Sequence, residues 1–209
     1  MTAFTPQIQS VLEHYELRML EEQFRMQQLS PEEGMAKRDD FLLPVGKAGA
    51  EFIHSMILAA NAQKVLEIGT SYGYSTLWLA DAVTHTNGKV TTIEINVEKS
   101  NYAEHQMQKA QLSDYIDFVC SDVLQYLTTD HQPYDLVFID VWKELYVPSI
   151  KLLIDQLPVG AYIIADNIIH PSHHKEDAEA YREYIHSTQQ FESVLLPIGS
   201  GLEVSRKIK

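Results

Sequence analysis

The stretch Val65-Leu66-Glu67-Ile68-Gly69-Thr70-Ser71-Tyr72-Gly73-Tyr74-Ser75-Thr76 decides the fold. An apolar run interrupted by one acid breaks at two glycines and resumes as Leu77, Trp78, Leu79 and Ala80. That order reads as a buried strand, a tight turn and a helix start, where α/β proteins seat a nucleotide-like cofactor. A dinucleotide-binding turn has the spacing Gly-x-Gly-x-x-Gly, so that bare backbone can approach a pyrophosphate. Here Gly69 and Gly73 give Glu-x-Gly-x-x-x-Gly, with Tyr72 and Tyr74 on either side of the second glycine. The bulk around the turn favours a cofactor without phosphates, and S-adenosylmethionine is the first candidate.

Outward from this turn, strands and helices alternate. Pro44 to Ala60 reads as a helix leading into a strand at Lys64 to Ile68. Further strands are expected at Val90 to Ile95, Ile116 to Cys120, Leu136 to Asp140 and Tyr162 to Ala165. Helical patterns separate them at Val97 to Leu112 and Val147 to Leu157. Runs such as Leu136-Val137-Phe138-Ile139 mark strands buried on both faces, as in a parallel sheet. The end differs: a helix at Lys175 to Thr188 precedes strands at Phe191 to Leu196 and Leu202 to Lys207, joined through Gly199 and Gly201. So short a link forces antiparallel pairing, since a parallel return needs a longer crossover. The expectation is an α/β, Rossmann-like, mostly parallel sheet with an antiparallel last strand and helices on both faces.

Upstream, Ile8, Val11, Leu12, Tyr15 and Met19 fall at helical spacing, and Ser30-Pro31-Glu32-Glu33 forms a capping-box pattern. One domain over residues 1–209 is expected, with 1–43 a helical extension and 44–209 the cofactor-binding core. The formal net charge of -13 argues against broad contact with nucleic acid or anionic membranes, which need clustered Lys and Arg. The single cysteine, Cys120, excludes an internal disulfide and reads as a buried, inert thiol. The first thirty residues carry Glu13, Glu16, Glu21 and Glu22 without the basic start and apolar core of a signal peptide. A cytoplasmic location is the expectation.

Acids gather at the carboxyl ends of the strands, where open α/β sheets bind ligands. Glu67, Glu94, Asp140 and Asp166 end or follow four of them, and Asp122 follows the third strand. Glu94 lies in register with the acid that binds ribose hydroxyls in nucleotide sites, while Asp122 reads as a helix cap with or without an adenine contact. Asp140, Asp166 and Asn167 offer three oxygen ligands suited to a hard divalent cation such as Mg²⁺. Lys143 beside that cation would have a lowered pKa and could take a proton from a hydroxyl; a plain salt bridge is the alternative.

The set Glu67-Ile68-Gly69-Thr70, Gly73-Tyr74-Ser75, Phe138-Ile139-Asp140, Lys143, Tyr146, Ala165-Asp166-Asn167 and Leu196-Pro197-Ile198-Gly199 resembles the small class I O-methyltransferases of the caffeoyl-CoA and catechol type. The likeness covers roughly residues 40–209. It implies a seven-stranded sheet and transfer of the S-adenosylmethionine methyl group to a hydroxyl, often one of a vicinal pair held by the cation. It also implies residue roles. Glu67, Gly69 and Ser75 would line the methionine part of the cofactor, Glu94 the ribose and Asp122 the adenine. Val45 matches a cofactor-contacting position. Asp140, Asp166 and Asn167 match metal ligands, Asp140 also approaching the cofactor amino group, and Lys143 matches the base. A homodimer is expected from the family and the apolar first helix.

Two departures bear on the acceptor. Val141-Trp142 stands where relatives usually have Ala-Asp, and Ile168-Ile169-His170-Pro171 follows Asn167 where Leu-Trp and Gly are frequent. A small phenolic or catechol-like hydroxyl is the expected acceptor class. A metal-independent methyltransferase, a tRNA hydroxyuridine methyltransferase and a non-catalytic nucleotide-binding module remain alternatives. His170, His173 and His174 read as surface histidines, with His170 a candidate for the acceptor site and Ser172 a helix cap.

Overall fold

A computed structural model describes residues 4–170 and 175–209 of the chain. Eight α-helices are described: α1 (Pro6–Met26), α2 (Pro31–Ala36), α3 (Lys47–Ala60), α4 (Tyr74–Thr86), α5 (Val97–Ala110), α6 (Val123–Thr129), α7 (Tyr146–Leu153) and α8 (Lys175–Thr188). They surround one sheet of β1 (Lys64–Ile68), β2 (Lys89–Glu94), β3 (Ile116–Cys120), β4 (Leu136–Ile139), β5 (Tyr162–Ala165), β6 (Phe191–Leu196) and β7 (Leu202–Lys207). The spatial order is β3-β2-β1-β4-β5-β7-β6. β1 to β5 pair in parallel, and β7 lies antiparallel between β5 and β6. The short Gly-rich link therefore makes the expected hairpin, and its second strand, not its first, joins the parallel set.

Each strand of the buried middle serves two cores, because successive side chains point to opposite faces. Leu136 and Phe138 pack with residues of α1, α3, α4 and α5, while Val137 and Ile139 pack with those of α6, α7 and α8. The helix starts follow local chemistry. Thr5 accepts from the Ile8 amide with Pro6 at the first helical position of α1, and Asn96 accepts from the Glu98 and Lys99 amides to open α5. Ser30 and Glu33 exchange backbone-to-side-chain bonds at 2.9 and 3.2 Å, completing the capping box. The helix expected from Pro44 begins at Lys47, because Gly46 at φ 80° caps it from the left-handed side. Ser172 lies outside the described residues.

Cys120 corrects one expectation, since its thiol is exposed. β3 is the edge strand of the described sheet and Cys120 its last residue, so among the described residues no further strand lies beyond it. No helix among the described residues is long and apolar enough to cross a membrane.

The parallel register places the ligand-binding end. Ile68 pairs with Ile93 and Ile139, Glu94 with Cys120, and Ile139 with Ala165. The residues just after these pairs, Gly69, Ser121, Asp140 and Asp166, therefore stand in one row beside Glu94.

Candidate active site

A cleft of about 530 Å³ opens along this row. On the β2 and β3 side its wall includes Ser71, Glu94, Ile95, Lys99, Asp122 and Val123; on the β4 and β5 side it includes Trp142, Lys143, Asn167 and His170. Gly69 and Asp140 also line the cleft, on the two central strands.

The opening turn is held from both sides of its backbone. The amides of Gly69 and Thr70 both donate to the Ile93 carbonyl, at 3.0 and 3.1 Å. Gly69 has φ 103°, and a Cβ there would overlap the Asp140 carbonyl, so only glycine lets the turn pack against the end of β4. A Cβ at Gly73, whose φ is 89°, would come within 2.8 Å of the Ala103 Cβ and 3.1 Å of the Tyr15 hydroxyl. Ser71, itself at positive φ, donates its amide to Glu94 Oε2 at 2.8 Å, and the Asn96 amide donates to Oε1 at 2.9 Å. Each carboxylate oxygen of Glu94 thus keeps a lone pair for the hydroxyls of a ligand. Asp122 caps α6 by accepting from the Gln125 amide at 2.9 Å, and it also lines the cleft.

Glu67 and Ser75 sit together beneath this turn. The Ser75 hydroxyl donates to Glu67 Oε1 at 2.5 Å, and Thr76 and Thr92 donate to Oε2 at 2.6 Å each. Glu67 is fully buried, and that burial pushes its pKa up to about 7 against the three hydroxyl bonds, which pull it down. Neither residue is part of the cleft wall. Val45 is buried behind Pro44, which does line it.

The β4 and β5 ends bring the second set of residues together. Asp166 is 1% exposed, and its Oδ1 has no hydrogen-bond partner among the described residues. Its pKa is pushed up to about 8 by burial and by the nearby Asp140 charge. Burial raises that of Asp140 too, against the attraction of Lys143 and Arg38. Asn167, in the left-handed region at φ 53°, donates Nδ2 to Asp166 Oδ2 at 3.0 Å and offers Oδ1 to Lys143 Nζ at 3.2 Å. Nζ also donates to the Tyr146 hydroxyl at 2.6 Å and the Val141 carbonyl at 3.3 Å. Burial lowers the lysine pKa, and the two aspartates oppose that. The chemistry of the donor set fits a hard cation: the Asp140 and Asp166 carboxylates lie near each other beside the Asn167 amide, and the buried Asp166 Oδ1 has no partner among the described residues.

The O-methyltransferase family profile matches residues 17–208, nearly the whole chain. This chain belongs to the O-methyltransferase family. It is an S-adenosylmethionine-dependent enzyme of the caffeoyl-CoA and catechol type. A catechol O-methyltransferase of Mycobacterium tuberculosis is 36% identical over 61% of this chain and 58% of its own length. A caffeoyl-CoA O-methyltransferase of Populus trichocarpa is 30% identical over 76% of this chain and 72% of its own. The fold matches that of a Bacillus cereus O-methyltransferase crystallised with S-adenosylhomocysteine, at TM-score 0.77 and 20% identity over 99% and 93% of the two chains.

In this methyltransferase, Gly69, Glu94, Asp122, Asp140, Lys143, Asn167 and His170 share the cleft, and Asp166 lies directly behind Asn167. His173 and His174 lie outside the described residues. The sequence pattern did not mark Ser71, Lys99, Arg38, Asp39 or the Phe41–Leu43 stretch, which also line the cleft. Asn96, a helix cap two residues after Glu94, was a local signal for the wall beyond Glu94.

Proposed function

We propose that this enzyme methylates a hydroxyl of a small phenolic or catechol-like acceptor, assisted by a divalent cation, with Lys143 as the base. The observation that carries the reading is the meeting of Asp140, Asn167 and Lys143 at one end of the cleft, with Asp166 behind Asn167 and its Oδ1 without a partner among the described residues. S-adenosylmethionine supplies the electrophilic methyl group; Glu94, Asp122 and the Gly69 turn are the residues we assign to it. A cation such as Mg²⁺, held by Asp140, Asp166 and Asn167, would lower the pKa of a bound hydroxyl.

Lys143 accepts the proton of that hydroxyl. To do so Nζ must be the neutral amine, releasing one of its three acceptors, and the bond to the Val141 carbonyl, at 3.3 Å, is the longest of the three. The Tyr146 hydroxyl, near the Ile139 and Asp166 carbonyls at 3.1 Å each, keeps the amine aimed while it changes charge. Trp142 carries exposed apolar surface at this end, which suits a planar acceptor, and His170 lines the same end. The exposed stripe Leu17, Leu20 and Phe24 on α1 is where we place a homodimer contact, which light scattering tests.

A metal-independent reaction is the second reading. It is favoured by the Lys143–Asn167–Asp166 chain of hydrogen bonds, which already occupies two of the three candidate donors. A methyl-transfer screen over vicinal diols and phenols, with Mg²⁺ or excess chelator, separates the two. Full activity in chelator removes the cation. Binding of NADH in preference to S-adenosylhomocysteine overturns the cofactor.

A further inference from the structure

The Arg38–Pro44 segment walls part of the cleft and links α2 to α3. Within it Leu43 has φ 39°, a left-handed conformation that the leucine Cβ disfavours. The other described non-glycine residues at positive φ are Asn, Ser or Gln. Leu43 is 40% exposed and lines the cleft. Something must hold it there.

The adjacent amide shows what does. Leu42 N–H donates to Oε2 of Glu22 at 2.6 Å, and Glu22 is 4% exposed on α1. Its other oxygen accepts from Arg18 Nε at 2.6 Å and Arg25 Nη2 at 3.4 Å. Arg18 lies over the Tyr72 ring at 3.8 Å and reaches the Asp40 carbonyl at 3.4 Å. Tyr72 belongs to the cofactor turn, and its carbonyl accepts from the Tyr15 hydroxyl of α1 at 2.6 Å. One buried carboxylate thus ties α1 to the cleft wall, while its arginine partner reaches the turn. A carboxylate so buried is held by charge-assisted bonds, the strong kind.

We propose that Glu22 is a positioning residue: by gripping the Leu42 amide it keeps Leu43 on the cleft wall and so sets the affinity of the site for its nucleoside cofactor. The effect on affinity rests on the cofactor assignment; the grip on the strap does not.

Two readouts on Glu22→Ala and Glu22→Gln test this: amide exchange over residues 41–45 and the S-adenosylhomocysteine Kd by calorimetry. Glu22→Ala should speed exchange in that segment about tenfold or more, leave β4 and β5 protected, and raise Kd roughly tenfold. Glu22→Gln keeps an amide oxygen for Leu42 but turns its NH2 toward Arg18 Nε, so it should lose clearly less than Glu22→Ala on both readouts although it leaves a buried donor unpaired, an ordering that loss of general stability would not give. If the alanine variant does not fold, Glu22→Asp, one methylene short of the Leu42 amide, serves in its place. Unchanged exchange overturns the latch. Faster exchange with unchanged Kd overturns its role in affinity. If wild type binds no S-adenosylhomocysteine, the cofactor assignment falls and with it the affinity role, while exchange alone still decides the latch.

Discussion

Replacing Glu67 by Gln should remove a pH dependence of stability built into the cofactor turn. Burial lifts this carboxyl from its ordinary 4.5 to about 7, although Ser75, Thr76 and Thr92 all donate to it. The sign follows from proton counting. Between those two values the folded chain holds a proton that the unfolded chain has released, so stability falls as pH rises, and above 7 the penalty is complete and flat. Its full size is about 3 kcal/mol, and between pH 5 and pH 8 about 2.5 kcal/mol of it should develop. The amide introduced by Glu67→Gln keeps the shape and cannot ionise. Urea unfolding of both proteins without ligand, at half-unit steps from pH 5 to 8, gives the Glu67 contribution, with its smaller coupling to Asp140, as the difference between two curves. Wild type should lose about 2.5 kcal/mol relative to the variant across that range. A flat difference, or one of opposite slope, would refute the argument that burial outweighs the three hydroxyls.

Other expectations concern the site directly. Gly69→Ala would press a Cβ onto the Asp140 carbonyl at φ 103°. A loss of about 2–4 kcal/mol, read as a Tm lower by roughly 5–15 °C, is expected, and an unchanged Tm would contradict the close approach of β1 and β4. Lys143→Met should cut kcat by about 10²–10⁴-fold while S-adenosylhomocysteine binds as before; retained kcat removes the lysine as base. Asp166→Ala should abolish Mg²⁺-stimulated turnover and leave the circular dichroism spectrum unchanged, because the side chain gives up only the bond from Asn167 Nδ2 at 3.0 Å. Stimulation that survives the substitution removes Asp166 as a ligand.

The fold was legible because its signals are local. Fully apolar strands such as Leu136 to Ile139, glycines at Gly69 and Gly73, and a hairpin too short to cross over each follow from a few neighbouring residues. Helix ends were less legible, since Leu43 and Gly46 redirect the chain before α3. Cys120 was misread because a strand's composition does not say whether it is at the edge of the sheet. The partners of Glu67 were hidden for a like reason, since Thr92 on the neighbouring strand and Ser75 and Thr76 on α4 reach it only once the sheet is assembled.

The amino-acid sequence by itself determined the class of fold, the cofactor turn and the row of acids at the strand ends, because periodicity and spacing act within one element. Tertiary structure alone decided which acids face the cleft, which are spent on hydroxyls beneath it, and that α1 reaches over to hold the cleft wall through Glu22. Those outcomes depend on strand order and register, which bring residues far apart in the chain within hydrogen-bond distance, and no local pattern encodes such a meeting.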